Sequence, residues 1–186
     1  GTGDTVEAAR ILLHAQQYFA LVNALVAMAE EQGYGHHDAI ELVVDSIYAE
    51  QDHSNLVGDN GGSTATIAGL IDIMFPDYGT ITVADPDDAT STITLSEYAA
   101  SNIVAVNTVI SEYIPEVDST EIYVHTDEAK AAALISQDDL VTNFRTIGKL
   151  DPTVHSAEIA TALSEHRDAE SIKTDFLEVY KQNIQQ

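Results

Sequence analysis

Cysteine and tryptophan are absent from this 186-residue chain, and Lys and Arg together number only seven. Without cysteine there can be no disulfide, no thiolate metal site and no cysteine nucleophile. The scarcity of cations excludes more. Nucleic-acid binding draws most of its affinity from Lys and Arg set against phosphates, yet from Ile11 to Ala129 the sequence contains neither. An anionic membrane surface is disfavoured on the same ground. Long apolar runs are lacking too. The strongest, Tyr18–Ala29, is interrupted by Asn23 and falls short of the roughly 20 residues a spanning helix needs, so no membrane insertion is expected. Catalytic signatures are also missing: there is no G-x-S-x-G elbow, no phosphate-binding G-x-x-x-x-G-K-[ST], no G-x-G-x-x-G and no H-E-x-x-H.

What the chain has in abundance is acid. Thirty-one Asp and Glu give a formal net charge of −24. Twenty of these acids lie in residues 11–129, which therefore carry −20 unopposed. Six of the seven cations (Lys130, Arg145, Lys149, Arg167, Lys173 and Lys181) fall in the last third. Molar salt shrinks the Debye length to about 3 Å and nearly abolishes self-repulsion, so this composition reads as adaptation to high salt. An apolar share of 45% is that of a folded domain rather than of a disordered acidic tail.

Periodicity predicts an α+β fold, predominantly α-helical: a compact helical domain with a small β-hairpin insertion. A first helix over 4–31 is apolar nearly all round, which marks either a core helix or one covered by another subunit. A second over 36–51 has Ile40, Val43, Val44, Ile47 and Tyr48 on one face and acids on the other. Loop formers fill 52–63, and a short helix over 64–75 stops at Pro76. Thr, Ile and Val alternate on both sides of the Asp85–Ala89 turn, giving a hairpin over 80–95. Ser96 caps a helix over 97–114. A third strand over 121–126 and helices over 127–136, 138–147, 152–166 and 168–183 complete the chain. Residues 115–120 are the candidate boundary between an acidic helical domain, 1–120, and a C-terminal helical subdomain, 121–186, unless 1–186 is one continuous domain. The Gly1 start reads as a product of cleavage, of a leader or of a tag.

Two sets of residues are candidates for metal. Glu50 and His53 form a Glu-x-x-His pair, which on one helix would present both ligands on the same face, as in di-iron bundles. Such bundles require a second pair, and the chain has none. Asp85, Asp87 and Asp88 crowd the hairpin turn and would suit a hard cation such as Ca²⁺. An EF-hand would need Gly at the sixth position and Glu at the twelfth, where this loop has Thr90 and Ser96. The expected cofactor is none beyond weakly held Ca²⁺ or monovalent cations.

These features give a leading expectation of a non-enzymatic structural or assembly protein of a high-salt-adapted microbe or its virus. It would act as a virion or cell-surface component, extracellular or in a virion, and partner with protein subunits as a homo-oligomer or in a larger assembly. The cations of the C-terminal third would dock head to tail on the acidic stretch of the next copy. The alternative is a metal-binding helical protein, such as an oxidoreductase, built on Glu50 and His53. Its location would be the cytoplasm of a high-salt organism.

Overall fold

The computed structural model describes residues 2–50, 53–58, 60–112, 126–165 and 168–184. Among them are eight α-helices and one two-stranded hairpin. The helices are α1 (Thr2–Glu31), α2 (His36–Ala49), α3 (Thr64–Met74), α4 (Pro76–Thr80), α5 (Leu95–Glu112), α6 (Thr126–Gly148), α7 (Pro152–Ser164) and α8 (Ala169–Ile184). The strands, β1 (Thr82–Ala84) and β2 (Thr92–Thr94), pair antiparallel with Val83 opposite Ile93. The fold is thus α+β and predominantly helical, with the hairpin where the Thr/Ile/Val alternation puts it.

α1 behaves as two half-helices. From Ala20 to Ala29 every position except Val22 and Asn23 is buried, so this half is core on all sides. Between Ile11 and Phe19 the helix buries only Leu13 and Gln17 and leaves the other side open. α6 lies along α1 with their C-terminal ends together. Gly148 permits that approach, because a Cβ there would stand 2.8 Å from the Met28 carbonyl oxygen. Above the crossing, Arg145 reaches Glu30 at 3.7 Å and Glu31 at 3.6 Å. Buried residues of α6, α7 and α8 (Leu140, Phe144, Ile159, Ile172) join those of α1, α3 and α5 in one cluster.

α3 ends at Met74, with Phe75 non-helical, so the short helix stops before Pro76 as expected, and Pro76 opens α4, in whose first turn its missing N–H costs nothing. Several other local expectations are corrected. Ser96 is not the cap of α5, and its buried hydroxyl has no hydrogen-bond partner. The cap is a box that starts two residues earlier: Glu97 N–H donates to Thr94 Oγ1 at 3.1 Å, and Thr94 N–H donates to Glu97 Oε2 at 3.1 Å. The two helices expected over 127–147 are one continuous α6, with Ser136 buried inside it. α2 is turned from its expected face. It buries Ala39, Val43 and Ser46, and leaves Ile40, Val44 and Tyr48 exposed as a row. Of the expected strand over 121–126, residues 121–125 lie outside the described residues and Thr126 opens α6. The candidate boundary at 115–120 also lies outside the described residues.

Every buried polar side chain among the described residues is neutral: Gln17, Ser46, Ser96, Asn102, Asn107, Ser136 and Asn143. Two of these amides receive carbonyls at the C-terminal end of α7, where a helix runs short of backbone donors. Asn102 donates to Leu163 O at 3.0 Å and Asn143 to Ala162 O at 3.2 Å. At the other end of α7, Pro152 follows the N-cap Asp151, whose carboxylate accepts from Thr153 N–H at 2.9 Å.

Candidate functional site

The Glu50–His53 pair does not share a helix face. α2 ends at Ala49, and Glu50 follows it in extended conformation. His53 belongs to a separate 3-10 turn, His53–Asn55, and is exposed. The i, i+3 geometry that a di-iron helix would use is therefore not formed. The Glu50 carboxylate instead lies over α3, with Oε2 2.8 Å from where a Cβ on Gly69 would be.

At the hairpin turn the carboxylates serve the backbone. Asp85 Oδ1 accepts from Asp87 N–H at 2.8 Å, and its Oδ2 accepts from the Ser91 hydroxyl at 3.1 Å. Asp88 Oδ1 accepts from the Thr90 hydroxyl at 2.6 Å and from Thr90 N–H at 2.9 Å. These are the side-chain-to-backbone bonds that make Asp a turn residue. The Thr90 hydroxyl and amide hold the exposed Asp88 carboxyl below its ordinary range. Asp85 and Asp87 also border an open cleft of about 490 Å³ shared with Glu97 and Asp168. Among the described residues, no three His, Asp or Glu side chains come together as a metal-binding group.

The Gly-rich loop behind the 3-10 turn is fixed by a residue that the sequence did not single out. Gln17, fully buried in the middle of α1, grips Gly58 as a neighbouring strand would. Its Nε2 donates to Gly58 O at 2.8 Å and its Oε1 accepts from Gly58 N–H at 3.0 Å. The same Nε2 donates to Asn107 O at 2.9 Å, which ties α5 into the clamp. Further along, Gly61 (φ +81°) presses on α5, and a Cβ there would come 2.6 Å from Thr108 Oγ1. Gly62 (φ +101°) lies against the Leu56 carbonyl. Both positions require glycine for conformation and for space. The available signal was a glutamine inside an apolar helix, which is stable there only with buried partners.

Two surface features bear on what the protein can meet. The open side of α1 exposes Ile11 (66%), Phe19 (57%) and Leu12 (47%), with Tyr18 beside them. The expectation drawn from Tyr18–Ala29 is corrected in one respect: the longer segment Ile11–Glu31 is long and apolar enough by composition to cross a membrane, and half of it is buried in the fold, as in a core helix. The second feature is that cations of the C-terminal third are engaged within the chain. Besides the Arg145 pairs, Lys173 is bound by Glu112 of α5 and, at 3.0 Å, by Glu170. Its side chain is only a quarter exposed, and Glu112, then Glu170, raise its pKa. The basic side chains expected to dock head to tail are thus in part already neutralised.

Comparison of the chain with protein-family models, with curated proteins and with solved structures finds no match.

Proposed function

We propose that this protein is a non-enzymatic structural or assembly component of a high-salt-adapted microbe or its virus, a subunit of a virion or cell-surface structure. The observation that carries this reading is the exposed apolar face of α1 on an otherwise strongly acidic protein. Large apolar side chains grouped on one helix face mark an interaction surface. Covering a side chain of this class completely is worth about 1.5–3 kcal/mol, so three or four of them, already partly covered, supply several kcal/mol toward association. The acidic surface supports the high-salt setting, because repulsion among subunits of charge −24 is screened only at high ionic strength. The internal pairing of Arg145 and Lys173 moves the expected contact from the charged C-terminal third to the apolar helix.

Light scattering over a wide concentration range in molar NaCl tests the reading. Particles heavier than the 20.0 kDa chain are expected, and a 20.0 kDa species at every concentration overturns it. Chemical unfolding at rising salt tests the setting: stability should climb steeply toward molar NaCl, and equal stability at about 0.1 M refutes the high-salt reading.

A further inference from the structure

We propose that the exposed face of α1 is the seam of a two-fold pairing with α1 of a second copy of this chain, the two helices running antiparallel. The inference rests on the assembly reading above and supplies its partner. Leu12, Ala15, Phe19 and Val22 follow one another at the alternating three- and four-residue steps of a coiled-coil seam, with Ile11 and Tyr18 alongside. A seam of that period fits another helix. Ala15, at its middle, is small enough to let two helix axes approach.

Charge selects the partner. From Ile11 to Ala29 there is no Asp, Glu, Lys or Arg, and the seam is bordered by His14 on one side and by Gln16 and Asn23 on the other. In a chain of net charge −24, this surface can be laid on its own copy without setting carboxylate against carboxylate, as an isologous contact requires. Direction follows from burial. The second half of α1 is enclosed by its own domain, so a parallel pair would bring two strongly acidic bodies together at the same end of the seam, whereas an antiparallel pair sets them at opposite ends. The other side of α1 (Leu13, Gln17, Ala20 and Leu21) is buried in its own domain, so the helix offers one face to a neighbour and keeps the other.

The absence of native cysteine makes the test direct. Leu12→Cys and Phe19→Cys chains are purified separately, then oxidised alone and mixed in molar NaCl. Antiparallel pairing brings residue 12 opposite residue 19 of the partner, so the mixture should give a disulfide-linked heterodimer and neither variant alone a homodimer. Homodimers from each alone overturn the proposal in favour of a parallel pair. In the same buffer, Phe19→Asp should weaken the dimer by about 30-fold or more, the loss expected for an aromatic anchor, with unchanged circular dichroism because Phe19 is exposed. An unchanged dissociation constant overturns the proposal. Wild-type affinity should tighten as NaCl rises, and loosening would mean that ion pairs hold the dimer instead. Flotation of a monomer with phosphatidylcholine vesicles, abolished by Phe19→Asp, would assign the face to lipid and also overturn it. Particles heavier than 20.0 kDa without cross-links leave the assembly reading standing and this seam refuted, whereas a monomer under every condition removes both.

Discussion

Replacing Gln17 by Leu tests how the Gly-rich loop is held. The substitution keeps the side chain's approximate volume and removes three hydrogen bonds, two to Gly58 and one to Asn107 O. The acceptors retain other partners: Gly61 N–H still reaches Gly58 O at 2.9 Å, and Asn107 O lies within helix α5. The Gly58 N–H is the group left facing an apolar side chain. At about 1 kcal/mol for each lost bond, plus part of the 1–3 kcal/mol for an orphaned donor, the loss is about 3–5 kcal/mol. For a chain of this length that corresponds to a Tm lower by about 6–20 °C. Differential scanning calorimetry in molar salt reads the shift, and hydrogen exchange should show the loop amides at 56–62 opening ahead of the global transition. A Gln17→Leu variant within about 0.5 kcal/mol of wild type, the range of ordinary surface substitutions, would refute the clamp. Gln17→Glu adds a second check. The ionised side chain can accept from Gly58 N–H but can donate to neither carbonyl, so this variant should gain stability as the pH falls and the carboxyl takes up its proton.

Three further outcomes are expected. Gly148→Ala drives a methyl against the Met28 backbone where α1 and α6 meet and should cost about 1–3 kcal/mol by overpacking, read by urea unfolding; a neutral result would mean that the two helices separate there freely. Tyr78 is fully buried with no partner for its hydroxyl, and burial raises its pKa, so Tyr78→Phe should leave Tm unchanged or raise it, and a fall of several degrees would reveal a partner for the hydroxyl. Asp151 is held below its ordinary pKa by the Thr153 hydroxyl and then by Thr153 N–H. A depressed carboxyl contributes stability above its unfolded value and loses it as the pH falls through the folded one. The Tm advantage of wild type over Asp151→Ala should therefore be full near neutrality and shrink on acidification, and a constant advantage down to about pH 2 would contradict the assignment.

The hairpin was legible because its signals agree: alternating Thr, Ile and Val on either side of an Asp-Pro-Asp-Asp turn. Helices α1 and α5 were legible from their apolar period, whereas the continuous α6 was read as two helices. The facing of α2 was not, since it has two apolar rows, and only packing against α1 and α3 decides that Ala39 and Val43 go inward while Ile40, Val44 and Tyr48 stay out. Pro76 was ambiguous because proline is equally at home after one helix and in the first turn of the next. The candidate ligands were chosen by spacing along the chain. Spacing could not foresee that α2 stops at Ala49, between its body and Glu50, or that Asp85 and Asp88 bind the loop that carries them. The apolar excess of α1 admitted two explanations, core or subunit contact; its second half is core, and its first half keeps the other open.

The neutrality of the interior divides the molecule into two layers with different sensitivities. The buried amides and serine hydroxyls of the described residues carry no charge for salt to screen, and they do not titrate between acid and base. Salt, protons and counterions therefore act on the outer layer alone. An evolving lineage could exchange Asp and Glu for Lys across that layer and move the same helices from brine to fresh water without repacking a single buried side chain.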